Sequence, residues 1–219
     1  MLFRSSKFLQ EHQPGRDPLS RRLNDRGFRA AWHCPTGRHP LPRSHLVDLA
    51  ASGHEIAWLA GGDAQFIAFA PEKSRLHAIQ DAARFMELYG VEGMRAAKRQ
   101  WSRPLLRDAA RLVRYDSSMH DAVPGALDAC GTARPFMTSL GLWELPVTIL
   151  RDSDLPRGSS ADEKAAARRA QIRERIAQGA MIHLHLEFTG RKAQDAERFR
   201  SRSEEHTSEL QSQFRISYA

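Results

Sequence analysis

Short apolar runs alternate with helical stretches of nine or more residues at least four times along this chain, and that alternation limits the fold more than any single motif. The strand-like runs are FRAAWHC, HEIAWLA, VEGMRA, VRYD, LWELPVTIL and AMIHLHLEF. Between them, Glu72–Tyr89 sets Leu76, Ile79, Ala83, Met86 and Leu88 near helical spacing, and Gly90 stops the helix. Ser44 reads as the cap of a helix running to Ala51, residues 104–112 form the next helix, and Ser160 caps a long one over Ala161–Gln178. Strand–helix–strand order of this kind favours a parallel α/β architecture, which an open doubly wound sheet and a closed (β/α) barrel both satisfy. Pro146 lies inside the run LWELPVTIL and marks an edge or a bulge there, because proline gives no N–H to a ladder. No glycine-rich phosphate fingerprint follows any strand, which removes the usual argument for a dinucleotide.

The 219 residues suffice for one large domain with a sizeable core. Residues 1–22, broken by Pro14, Gly15 and Pro18, read as a poorly ordered segment with a short helix beginning near Asp17, and the domain itself is expected over residues 23–200. Arg202–Ser212 (RSEEHTSELQS) is identified as the translation of a common sequencing adapter. Residues 201–219 are therefore expected to be a non-native tail on a truncated gene product. No apolar run of eighteen residues occurs, so no membrane span is expected. Cys34 and Cys130 stand far apart in no metal-type spacing and read as free thiols. The net charge of +7 is carried mostly by arginine. The arginines sit beside acidic residues on helices, as in ADEKAAARRAQIRERIAQ, which is a solvated helix face rather than a nucleic-acid-binding stripe.

In either parallel architecture ligands gather at the carboxyl ends of the strands. Those ends carry His33, Asp63, Arg95 with Trp101, Asp116 with Ser117 and Ser118, Asp152, and His185 with Glu187. Histidines, aspartates and an arginine converging on one rim suit hydrolysis by a metal or by a general acid–base pair. Each residue also has a plainer use. His183 and His185 share one face of a strand and could form a zinc pair, but a hydrogen-bonded core histidine is the commoner use. Asp63 after two glycines suits a turn, Trp101 and Trp143 suit sugar stacking or core packing, and His54 sits at the entry end of its strand, where structural hydrogen bonding is expected. Arg95 in mid-strand is harder to set aside, because a buried guanidinium needs a carboxylate.

Taken in order, GFRAAWHC, SGHEIAWLA, GVEGMRAAKRQWS, VRYDSS, CGTARPF, LWELPVTILRDSDL and GAMIHLHLE resemble the polysaccharide deacetylases with NodB homology, over roughly Leu23 to Glu187. The resemblance implies a distorted (β/α) barrel of about seven strands, in this chain without its first strand and its C-terminal elements. It also implies metal-dependent hydrolysis of acetyl groups from sugars, with one Asp and two His holding a zinc-like ion and a second Asp acting as base. On this pattern Arg95 and His185 take catalytic places, and Trp101, Asp116, Trp143 and Glu144 are expected to bind an acetylated oligo- or polysaccharide. The first metal histidine of the pattern falls on Leu59 and the second on Asp63, and no Asp-Asp pair occurs. Asp63 is thus the one candidate metal ligand, and this chain is expected to hold no catalytic metal. The sequence predicts a deacetylase-like protein that is inactive as this fragment; the alternative is a carbohydrate-binding or structural relative that has lost the metal site.

Overall fold

The computed structural model describes residues 18–36, 41–61, 67–121, 129–149, 155 and 158–184. Within them the expected alternation is present. Helix α1 (Pro18–Asp25) leads to strand β1 (Ala31–Pro35), α2 (Arg43–Ala51), β2 (Glu55–Ala60) and α3 (Glu72–Tyr89). Then follow β3 (Gly93–Ala96), α4 (Arg103–Ala109), β4 (Tyr115–Asp116), β5 (Phe136–Met137), β6 (Trp143–Glu144) and α5 (Ala161–Ala177). The expected boundary at residue 22 falls inside α1. Asp63, Asp152, His185, Glu187 and the adapter-like tail lie outside the described residues.

The strands form one six-stranded sheet in the order β1-β2-β3-β4-β6-β5. All neighbours are parallel except β5, which runs antiparallel to β6. The α/β class is as expected. The sheet is open among the described residues, and neither seven strands nor a closed barrel is present there. Ordered pairing continues past β6, since His120 bridges Val147 and Ile149 bridges Leu184, both in parallel. The run from Leu142 is broken at Pro146: Leu145 N donates to Asp116 O at 2.8 Å and Val147 N to Met119 O at 2.8 Å, while the proline between them has no N–H to give.

Local chemistry explains most element ends. Gly90 takes a left-handed conformation and ends α3 where the sequence places the stop. Ser160 caps α5 in a full capping box, its hydroxyl accepting from Glu163 N while Ser160 N donates to the Glu163 carboxylate. Ser44 is not a cap: α2 starts one residue earlier, after Pro42, with no side-chain cap. Ser102 caps α4 instead, accepting from Leu105 N at 3.3 Å. The antiparallel β5 was not expected, because two residues leave no periodicity to read.

Register and the two-residue period of a strand separate the sheet into two faces. Cys34, Ile56, Trp58, Ala60, Met94 and Ala96 point to one face. There they pack in a single core with Leu46 and Leu49 of α2, Ile79 and Met86 of α3, and Leu105 and Leu106 of α4. Between α3 and α4 a buried ion pair, Arg75 Nε to Asp108 Oδ2 at 2.7 Å, satisfies charges that the helices bring inside. The opposite face carries His33, Ala57, Leu59, Gly93, Arg95 and Tyr115. His54 stays away from that face. Its Nδ1 accepts from Ala30 N and its Nε2 lies 3.3 Å from Ser20 O, so it joins α1 to the sheet as the sequence leads one to expect.

Candidate functional site

On the face away from the helices, His33 of β1, Arg95 of β3, Ser117 just after β4 and His183 build one buried polar network. Arg95 of β3 is 2% exposed, and its Nε donates to Ser117 O at 2.9 Å and to Ser117 Oγ at 3.1 Å. Its Nη2 lies 3.1 Å from His183 Nε2. His183 Nδ1 faces two carbonyl oxygens, Leu145 O and Pro146 O, both at 3.1 Å. Carbonyls only accept, so Nδ1 carries the proton and Nε2 presents a lone pair to the guanidinium. On the other side, Ser117 Oγ lies 3.2 Å from His33 Nε2 and 3.3 Å from Met94 O, and its one proton goes to either.

Burial and the Arg95 charge together keep both histidines neutral. Desolvation, then the guanidinium, holds His183 down at about 4. The same two causes, with a contribution from His183, hold His33 well below the usual histidine range. The network is therefore one cation bordered by a hydroxyl and two neutral rings. It can donate hydrogen bonds and stabilise negative charge. The His183 nitrogen facing Arg95 is closed to a proton while that contact lasts, because the guanidinium only donates.

Beneath this, on the helix-facing side of the sheet, stand two carboxyl groups. Asp116 and Glu144 are register partners on β4 and β6, and both are wholly buried. Ser118 Oγ donates to Asp116 Oδ1 at 2.6 Å, and Met119 N donates to Glu144 Oε1 at 3.0 Å. Burial raises both; Glu144, pressed also by the Asp116 charge, reaches about 10.

The remaining expected site residues are more dispersed. Trp101 follows β3 beyond a short 3-10 turn that contains Arg99 at a positive φ of 58°, and it packs partly buried against the core. Trp143 shares the Arg95 face but stands at the entry end of β6, 45% exposed and paired in register with Met137. At that same end Tyr115 crosses β3, its hydroxyl donating to Glu55 Oε1 at 2.6 Å. That crossing depends on Gly93, where an added Cβ would sit 1.9 Å from Tyr115 Cζ. Arg95, Asp116 and Glu144 are thus close together, and Trp143 is set apart from them. Sequence reasoning flagged His33 and Ser117 only as rim residues and left His183 as a core histidine. The parity shared by His183 and His185 was the available signal that either ring reaches this face.

The described residues do not fit a divalent metal. No group of three His, Cys, Asp or Glu side chains among them is arranged to hold one. His183 is engaged at both nitrogens, and Leu59, level with Arg95, brings no donor.

No protein-family model matches the chain, and no curated protein matches it. Among solved structures it is similar to a crystal structure described as a "putative polysaccharide deacetylase" from Mycobacterium smegmatis, at a TM-score of 0.59 and 19% identity, over 86% of this chain and 69% of that one. The two share a fold. The shared fold agrees with the α/β class expected from the sequence. No helix among the described residues is long and apolar enough to cross a membrane.

Proposed function

We propose that this chain is a polysaccharide deacetylase-like protein that recognises acetylated saccharides and, as this 219-residue chain, does not run the metal-dependent reaction. The fold likeness supports the family. The observation that carries the loss of metal chemistry is the engagement of His183 on both ring nitrogens, by Arg95 on one side and by the Leu145 and Pro146 carbonyls on the other. A ring held in that way has no lone pair left for an ion.

In this reading the Arg95 guanidinium supplies hydrogen bonds to an acetyl oxygen or a sugar hydroxyl, and Trp101 supplies an apolar ring. His185 and Asp63 occupy the places that the motif pattern gives to a late-strand catalytic histidine and a metal ligand, and in this reading neither place is used for catalysis. Zinc or a similar divalent ion supplies, in the wider family, the Lewis acid for deacetylation. The partner is an acetylated oligo- or polysaccharide, and no nucleic acid is involved.

Calorimetric titration of the full chain with acetylated oligosaccharides, beside metal analysis and an acetate-release assay, tests the proposal. Binding without acetate release, weakened by Trp101→Ala, is the expected result. Stoichiometric zinc with acetate release would instead establish the hydrolase, and absence of any saccharide binding would overturn recognition.

A further inference from the structure

The two buried carboxyl groups are only half supplied with hydrogen-bond donors. Each has one oxygen that receives a bond, Asp116 Oδ1 from Ser118 and Glu144 Oε1 from Met119. The other two oxygens, Asp116 Oδ2 and Glu144 Oε2, are buried and meet no donor among the described residues. Yet the two side chains are register partners and lie within hydrogen-bonding reach of one another. Two carboxylates only accept, so contact between them requires a proton. Charge points the same way. Among the described residues the charge acting on both carboxyls is the Arg95 guanidinium on β3, from across the sheet, and the other titratable neighbour is the Cys130 thiol, which burial holds protonated. His33 and His183 beyond Arg95 are neutral. Two ionised carboxyls would leave excess negative charge in the core, and two neutral ones would leave the guanidinium unbalanced. One proton gives one negative charge against one positive.

We propose that Asp116 and Glu144 share a single proton, donated from Glu144 Oε2 to Asp116 Oδ2, and that this bond positions the Arg95–Ser117–His183 network. The positioning follows from chain adjacency. Asp116 directly precedes Ser117, which holds Arg95, and Glu144 directly precedes Leu145 and Pro146, whose carbonyls hold His183. The shared proton closes the gap between β4 and β6 immediately below both anchors. Loss of that proton sets two negative charges against each other and drives the anchors apart. This inference does not depend on the saccharide reading.

Infrared spectroscopy of the full chain at pH 7 should show a carboxylic-acid C=O band that shifts in D2O and is absent from Glu144→Gln. The glutamine amide reproduces the donor, so that variant should keep the wild-type melting temperature at pH 7. It should also lose the portion of the alkaline decline that the wild type shows as pH rises toward about 10. Glu144→Leu donates nothing and should melt lower at every pH. Nitrogen NMR reads the positioning separately. The His183 pattern, protonated Nδ1 and bare Nε2, should survive in Glu144→Gln and broaden in the wild type at alkaline pH. Absence of the acid band at pH 7, or an alkaline decline unchanged in Glu144→Gln, overturns the shared proton. A His183 pattern identical at neutral and alkaline pH overturns the positioning role. Should Glu144→Gln fail to fold, the wild-type band decides alone: its presence supports the pair and its absence removes it.

Discussion

The two faces of one sheet divide the work of this molecule. Toward the helices β1, β2 and β3 present Cys34, Ile56, Trp58, Ala60, Met94 and Ala96, a dry surface packed by α2, α3 and α4. Toward the other side the same strands present His33, Ala57, Leu59, Gly93 and Arg95, with Tyr115 and Trp143 continuing the row on β4 and β6. Alternate residues of a single strand thus serve different ends: Met94 fills the core and Arg95 builds the polar network. The carboxyl pair qualifies the division, because it places ionisable groups on the apolar face, directly under the polar one. The polar network is therefore held from behind, by contacts that no ligand touches.

The most damaging way to probe the division is to remove a large residue from the dry face. Trp58 is wholly enclosed and its Nε1 donates to Thr36 Oγ1 at 3.1 Å. Trp58→Ala should cost about 3–5 kcal/mol in urea unfolding, through lost transfer energy, a cavity and an orphaned hydroxyl. Acid should act on the other face. A neutral buried histidine whose folded value lies below its unfolded one stabilises the fold above pH ~6.5, and that contribution is lost as pH falls. His183, held at about 4 by burial and then by Arg95, defines the window from pH ~6.5 down to that value, and His33 adds in the same direction. The expected loss from His183 alone approaches roughly 3 kcal/mol at the acid end, read as a falling melting temperature. Arg95→Gln should raise the His183 value, measured by NMR titration, without returning it to the free range, since burial is the larger cause. An unchanged His183 value in that variant would break the link between the two side chains.

Gly93 tests how tightly the entry end of the open face is built. A methyl group there meets the Tyr115 ring at 1.9 Å, and the ring is tied at its far end to Glu55. Gly93→Ala should cost about 1–3 kcal/mol by overpacking. Adding Tyr115→Ala should recover part of that cost, because the double variant no longer contains the clash. A double variant no more stable than the additive sum of the two single changes would place the penalty in the backbone of β3 instead.

Much of this fold was legible in the sequence because its signals are local. Gly90, Ser160 and the periodicity of Glu72–Tyr89 carry their own physical reasons, and the structure ends or starts helices at those residues. The α/β class followed from element order alone. The register between strands was not legible. Nothing in YDSS or WEL says that Asp116 faces Met94 rather than Arg95, or that it meets Glu144 across a ladder, since those facts arise only when β3, β4 and β6 align. For that reason both acids read as substrate contacts in the sequence, and the structure encloses them. The need of Arg95 for a partner was legible from burial cost; that Ser117 and His183 supply the hydrogen bonds, with carboxyls adding only charge from the far side, was not.

The gentlest test sets one tryptophan against another. Trp143 lies in a strand, as Trp58 does, and Trp143→Ala deletes the same side chain as Trp58→Ala. It stands 45% exposed at the entry end of β6, beside an equally open Met137, where water already reaches the ring. Its removal leaves no enclosed cavity and orphans no buried group. Trp143→Ala should therefore cost about 1 kcal/mol or less in the same urea titration that shows several for Trp58→Ala. If the two costs converge, the entry end of the open face is packed as firmly as the core. Ligand binding by Trp143 would then have to displace a structural contact, and the contrast between the faces would hold only for the residues around Arg95.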